Sequence, residues 1–219
     1  MSHHLFRQIE KLKQKILLVG TYVEESIAKA VDSLVNKDRE LAASVIQADD
    51  EIDRLEVEVE EECLKTLALY QPVAADLRFV IAVLKINNDL ERMGDLATNM
   101  AKRAIFLAQC EQPELIGDIR TMAVKAQSMV KNSLDALVNH DGKLARQVRE
   151  NDDEVDALRD DIQAKVRRLM REQPEKFECW SKLNSASRHV ERIADMATNV
   201  AEEVIYLVEG EIVRHRPQD

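Results

Sequence analysis

Apolar residues return at spacings of three and four along most of the chain, as in Leu5, Ile9, Leu12 and Ile16. This is the period of an α-helix that turns one face to a core. Interruptions are few, since 219 residues contain 5 Gly and 4 Pro. Asp38 and Asp141 follow Asn36 and Asn139 and can cap a new helix, Pro72 and Pro174 suit first-turn positions, and Pro113 and Gly117 mark a join near the middle. The pattern predicts helices over residues 4–36, 39–69, 73–110, 114–139, 142–171 and 175–209.

The six helices are two sets of three, because the chain repeats itself. Val31–Asp38 (VDSLVNKD) returns as Leu134–Asp141 (LDALVNHD), and Ala48–Leu55 (ADDEIDRL) as Asn151–Leu158 (NDDEVDAL), each with five of eight residues identical and an offset of 103. ERMGDLATNMA at Glu91–Ala101 returns as ERIADMATNVA at Glu191–Ala201, with seven of eleven identical and an offset of 100. The difference in offset falls around the two Gln-Pro pairs at 71–72 and 173–174, where a turn tolerates a change of length. The expected fold is all-α, two tandem three-helix bundles related by an internal pseudo-twofold repeat, with one bundle in residues 1–110 and the other in 111–219.

Charge and composition narrow the function. A formal net charge of −10 and a pI near 5.1 oppose the phosphate backbone of nucleic acids, whose binding relies on Lys and Arg. The run Phe79–Leu84 is far too short to span a bilayer, which takes roughly 20 apolar residues, and no secretory signal pattern is present. Cys63, Cys110 and Cys179 match no zinc spacing and read as core thiols of a chain in the reducing cytoplasm.

The candidate chemistry lies on the polar side of the repeated motif. At about 100° per residue, Leu90, Met93, Ala97, Met100, Ala101 and Ala104 share one side of the third helix, and Glu91, Asp95, Thr98 and Asn99 share the other. Between copies the core side drifts, Met93 to Ile193 and Met100 to Val200, while the polar side is identical. A purely solvated face has no reason to drift less than a core. Carboxylates at i and i+4 lie roughly 6 Å apart at Cβ and can converge on a cation. The middle helices offer further i, i+4 pairs, Asp49 with Asp53 and Asp152 with Asp156. The candidate metal ligands are therefore Glu91, Asp95, Asn99, Asp49 and Asp53 in the first copy and Glu191, Asp195, Asn199, Asp152 and Asp156 in the second. Oxygen donors suit a hard divalent or trivalent ion such as Mg, Ca, Mn or iron. Lys102 in the first copy is replaced by Glu202 in the second, so the second stripe is expected to be the more anionic and to bind metal more tightly.

Other chemistries find no support. Neither GxxxxGK[ST] nor GxGxxG occurs, and no Glu stands three residues before a His in the manner of ferritin-like di-iron enzymes. His189 falls on the core-side arc and reads as a packed histidine, while Arg92 and Arg192 can pair with Asp95 and Asp195 or face a partner. The chain is not expected to be an enzyme.

QPVAADLRFVIAVLKINNDLERMGDLATNMAKRA and HVERIADMATNVAEEVIYLVEGE resemble the two signature helices of the PhoU family of phosphate-signalling proteins. The resemblance implies two three-helix bundles, multinuclear metal binding at paired (E/D)xxxD motifs, and negative regulation of phosphate uptake. It implies as partners a phosphate-specific ABC transporter, through its ATPase, and a membrane sensor histidine kinase, and it suggests a homodimer reaching them by protein contact without membrane insertion. Met196 stands where family members often carry a His in a DHATN string. Two other readings stay open on the residues alone: a metal-binding helical protein unconnected with phosphate, and a structural dimerising bundle with inert acidic faces.

Overall fold

The computed structural model describes residues 3–111 and 115–210, and among these there are six α-helices and no strand. They are α1 His3–Asn36, α2 Arg39–Tyr70, α3 Ala74–Leu107, α4 Ile116–Asn139, α5 Gly142–Glu172 and α6 Phe177–Glu209. The turn between the first two helices of each copy is built the same way. Lys37 and His140 take left-handed backbone angles, φ 56° and 50°, and the following N–H, of Asp38 or Asp141, donates to the carbonyl of Ser33 or Ala136 at 2.9 Å. That closes the preceding helix in a Schellman-type turn. The same Asp then caps the next helix. Asp38 accepts from Leu41 N at 2.9 Å, and Asp141 accepts from Lys143 N and Leu144 N at 3.0 Å each.

Helix starts near the prolines differ from expectation. Pro72 is buried in the turn before Val73, the N-cap of α3, and therefore lies outside the helix; Gln71 just before it is left-handed, φ 44°. Pro174 opens a 3-10 turn, Pro174–Lys176, and α6 begins only at Phe177. At its other end α3 stops at Leu107 instead of 110, because Gln109 N and Cys110 N bond three residues back, to Phe106 and Leu107, and the chain tightens into a turn. Gly117 lies within the first turn of α4, and Pro113 lies outside the described residues.

Each half is a three-helix bundle, α1 with α2 and α3, and α4 with α5 and α6. The halves meet through α3 on α6 and α1 on α4, leaving α2 and α5 on the outside. Gly20 permits the α1–α4 approach, since a Cβ there would stand 2.5 Å from Leu134 Cδ1. Lys85 meets Glu203, and moving forward along α3 to Arg103 moves the partner back along α6 to Ser185, so these two helices cross antiparallel. The buried apolar side chains form one cluster through both halves, and the predicted stripe Leu5, Ile9, Leu12 and Ile16 belongs to it.

One reading is overturned. Cys110 and Cys179 are not separate core thiols; they are bonded as a disulfide, with Cα atoms 6.4 Å apart. The sequence separation of 69 residues conceals their proximity, which the antiparallel crossing creates by bringing the end of α3 to the start of α6. Cys63 is a free, buried thiol.

Candidate metal centre

The acidic stripes lie in the grooves where α3 packs on α2 and where α6 packs on α5. Helix spacing puts Asp152 and Asp156 one turn apart on α5, and the packing brings Asp195 of α6 to them. Oxygens of these three carboxylates lie within 4.8 Å of one another, and among the described residues no other three acidic, His or Cys side chains converge so closely. Asp152 Oδ1 and Thr198 Oγ1 are buried and have no hydrogen-bond partner. Burial first, and then Asp156, Asp195, Asp153 and Glu191, push Asp152 up from 3.8 to about 7. Asp195 and Asp156 are also raised, chiefly by burial, with Glu191 adding at Asp195 and Asp160 at Asp156. Three repelling carboxylates with an orphaned buried oxygen fit a hard cation, which favours oxygen donors and removes the repulsion.

Of the other two second-copy candidates, Glu191 borders the cluster closely enough to raise Asp195 and Asp152 but also has a cation beside it, and Asn199 is placed elsewhere. Glu191 faces Arg159, 6% exposed, whose Nε stands 3.6 Å from Glu191 Oε2. Asn199 lines a cleft of about 530 Å³ between α3 and α6, together with Lys85, Asn88, Asp89, Glu202 and Glu203. Glu202 itself lies 3.5 Å from Arg149 Nε, so the Lys102-to-Glu202 difference does not make the second stripe more anionic as expected. The second stripe is distinguished by the convergence of its three Asp.

In the first copy the corresponding acids are near one another but differently engaged. Asp49 accepts a hydrogen bond from Thr98, and Lys102 acts on it favourably; burial still holds its carboxyl above the usual range, with Asp53 and Asp95 contributing. Thr98 is 4% exposed, so it belongs to the packed side of α3 and not to its polar face. Glu91 is raised by burial and then by Asp95, Asp53 and Glu56. Asn99 is half-buried. Where the second copy leaves Asp152 Oδ1 and Thr198 Oγ1 without a hydrogen-bond partner, the first pairs Asp49 with Thr98.

Gly94 sets the α2–α3 spacing here. A Cβ on it would lie 3.1 Å from Ile52 Cδ1 and 3.6 Å from Asp49 Oδ1. The equivalent positions in the second copy are Ala194 and Val155, so a methyl has moved from the middle helix to the third at nearly constant volume.

Sequence reasoning did not find Arg149, Arg159 or Glu56. Arg159 stands where the first copy has Glu56, and Arg149 where it has Ile46. Aligning the repeats beyond the motifs would have exposed both changes of charge. His189 is half-buried, as a packed histidine should be; its Nε2 lies 3.4 Å from Ser185 Oγ, and burial followed by Arg103, Arg192 and Arg188 pulls it down to about 4.

Fold and site together define a two-bundle helical protein with an acid-lined groove in each half. The family model described as PhoU domain matches residues 16–104 and again 119–204, once in each half. A phosphate-specific transport system accessory protein PhoU homolog of Aquifex aeolicus is 43% identical, over 97% of this chain and 96% of that protein. The homolog of that name from Pseudomonas aeruginosa is 37% identical over 98% and 91%. The crystal structure of PhoU from Pseudomonas aeruginosa superposes with a TM-score of 0.91, covering 94% of this chain and 99% of that one at 37% identity. The phosphate transport system regulatory protein PhoU from Streptococcus pneumoniae gives 0.90 at 31% identity, over 95% and 99%. The chain belongs to the PhoU family.

Proposed function

We propose that this protein regulates phosphate uptake and phosphate-starvation signalling, without catalysing a reaction. It acts negatively, from the cytoplasm, by contact with the ATPase of a phosphate ABC transporter and with a membrane sensor histidine kinase. The observation that carries this reading is similarity along essentially the whole chain, 43% identity over 97% of it, to a protein named as a phosphate-specific transport system accessory protein. Among the described residues no helix is long and apolar enough to cross a membrane, which agrees with reaching membrane partners by protein contact. The working form is a homodimer.

The regulator carries a hard divalent or trivalent cation. Asp152, Asp156 and Asp195 would hold it, and Asp49, Asp53, Glu91, Asp95 and Asn99 form the weaker counterpart. The ion's contribution is charge neutralisation that fixes α5 against α6. Deleting the gene and measuring phosphate uptake and a phosphate-starvation reporter tests the regulatory role. Both are expected to rise in phosphate-rich medium and to return to normal on complementation. Unchanged uptake and reporter output would refute it. Elemental analysis of the purified protein tests the cation separately.

A further inference from the structure

The α3–α6 crossing is held differently at its two ends. At one, Lys85 pairs with Glu203, which is 2% exposed, and its Nζ lies 6.0 Å from the Tyr206 ring centroid. At the other, Cys110 in the turn after α3 is bonded to Cys179 in the first turn of α6. Non-covalent contacts surround that bond. Lys37 Nζ donates to the Cys110 carbonyl at 2.6 Å, Lys176 pairs with Glu111, and Lys182 Nζ lies 5.5 Å from the Phe106 ring centroid. The Lys37 bond fixes Cys110 against the α1–α2 turn, and the Lys176–Glu111 and Lys182–Phe106 contacts join the end of α3 to the start of α6 independently of the sulfurs. Opening the bond therefore leaves two thiols already placed to close it again.

We propose that Cys110 and Cys179 form a reversible redox modification site, a dithiol–disulfide pair that locks α3 to α6 when oxidised and releases that lock when reduced. Closure forms one S–S bond. Two thiol protons and two electrons leave, and an external disulfide such as oxidised glutathione takes them up as two thiols. A dithiol reductant reverses the exchange. Cys179, half-buried in the first turn of a helix, lies where the helix dipole favours thiolate and so speeds exchange. Cys63 has the opposite environment: burial, then Glu62 and Glu60, push its thiol up to about 12, and it stays inert. The pairing stands on geometry alone. Its reversibility rests on the cytoplasmic placement proposed above, since disulfides in reducing compartments are usually transient.

The test counts thiols in the full-length protein. After native equilibration with excess oxidised glutathione, acid quench, denaturation and alkylation, mass spectrometry is expected to find one alkylated cysteine, Cys63, on a monomeric chain. After dithiothreitol it should find three. Oxidised wild type should melt roughly 5–10 °C above reduced wild type, given a closed loop of this length. That shift should vanish in Cys110→Ser and Cys179→Ser and persist in Cys63→Ala. Three alkylated thiols after oxidation, glutathione on each cysteine, or a disulfide-linked dimer on a non-reducing gel would overturn the pairing, as would an undiminished shift in Cys110→Ser. A bond that stays closed in millimolar reduced glutathione would overturn the reversibility. Neither result depends on phosphate uptake, so failure here is separate from failure of the regulatory reading.

Discussion

Replacing Asp152 with Asn removes one negative charge from the three-Asp cluster and nearly preserves shape. The carboxyl is raised from 3.8 to about 7, which at face value is about 4 kcal/mol of unfavourable ionisation at neutral pH. The group is only half-buried, so solvent screening leaves about 1–2 kcal/mol of that figure. Metal-free Asp152→Asn should therefore melt roughly 2–8 °C above wild type at pH above 7.5. The sign follows from linkage. With the folded pKa above the unfolded one, folded wild type holds more protons between pH 3.8 and about 7 and loses stability as pH rises through that window. The advantage of Asn is thus absent near pH 4 and complete above 7. With Mn²⁺ at about a hundredfold excess over its Kd, wild type should gain about 2.7 kcal/mol and Asp152→Asn much less, so the order of melting temperatures reverses. Melting curves in EDTA and in Mn²⁺ at several pH values provide the assay. If Asp152→Asn melts below wild type in EDTA, or gains as much from metal, the three carboxylates are not a strained cation site.

Three further outcomes are expected. Gly94→Ala and Ile52→Val should couple favourably by about 1 kcal/mol in a double-mutant cycle read by urea denaturation, because the pair recreates the Ala194–Val155 arrangement; additive effects would show that the close approach is not limiting. Asp141→Ala removes a cap that accepts two backbone N–H bonds and should cost about 1 kcal/mol, or roughly 2–4 °C in melting temperature. His189, pulled down to about 4 from 6.5, is uncharged in the fold, so its contribution is present above pH 6.5 and lost as pH falls towards 4. His189→Gln should flatten that part of the stability–pH curve measured by melting.

What could be read from the sequence was what local chemistry encodes. The NKD and NHD turns and their Asp caps, the buried stripe of α1 and the i, i+4 acid pairs follow from spacing along single helices. What escaped depends on which helix faces which. The approach of Arg159 to Glu191 and of Arg149 to Glu202 joins α5 to α6, and the Cys110–Cys179 bond needs the antiparallel crossing. Thr98 looked polar by angle around its helix, yet α2 packs close enough to cover it and to place Asp49 within its reach. Pro72 could have started a helix, but the turn at Gln71 left it outside.

The crossing of α3 and α6 has the form of a twofold dimer interface written into one chain. Lys85 opposite Glu203 at one end is matched, at the equivalent positions of the other, by Ser185 opposite Arg103. A dimer of identical halves would be obliged to use the same contact at both ends, since twofold symmetry copies every substitution. Fusion lifts that obligation. One end is an ion pair, which dissolved salt reaches only through the half-exposed Lys85, and the other carries a sulfur bridge, which salt does not touch and reductant does. Two nearly equivalent joints thus respond to unrelated variables of the surrounding solution, a division of labour that strict symmetry forbids.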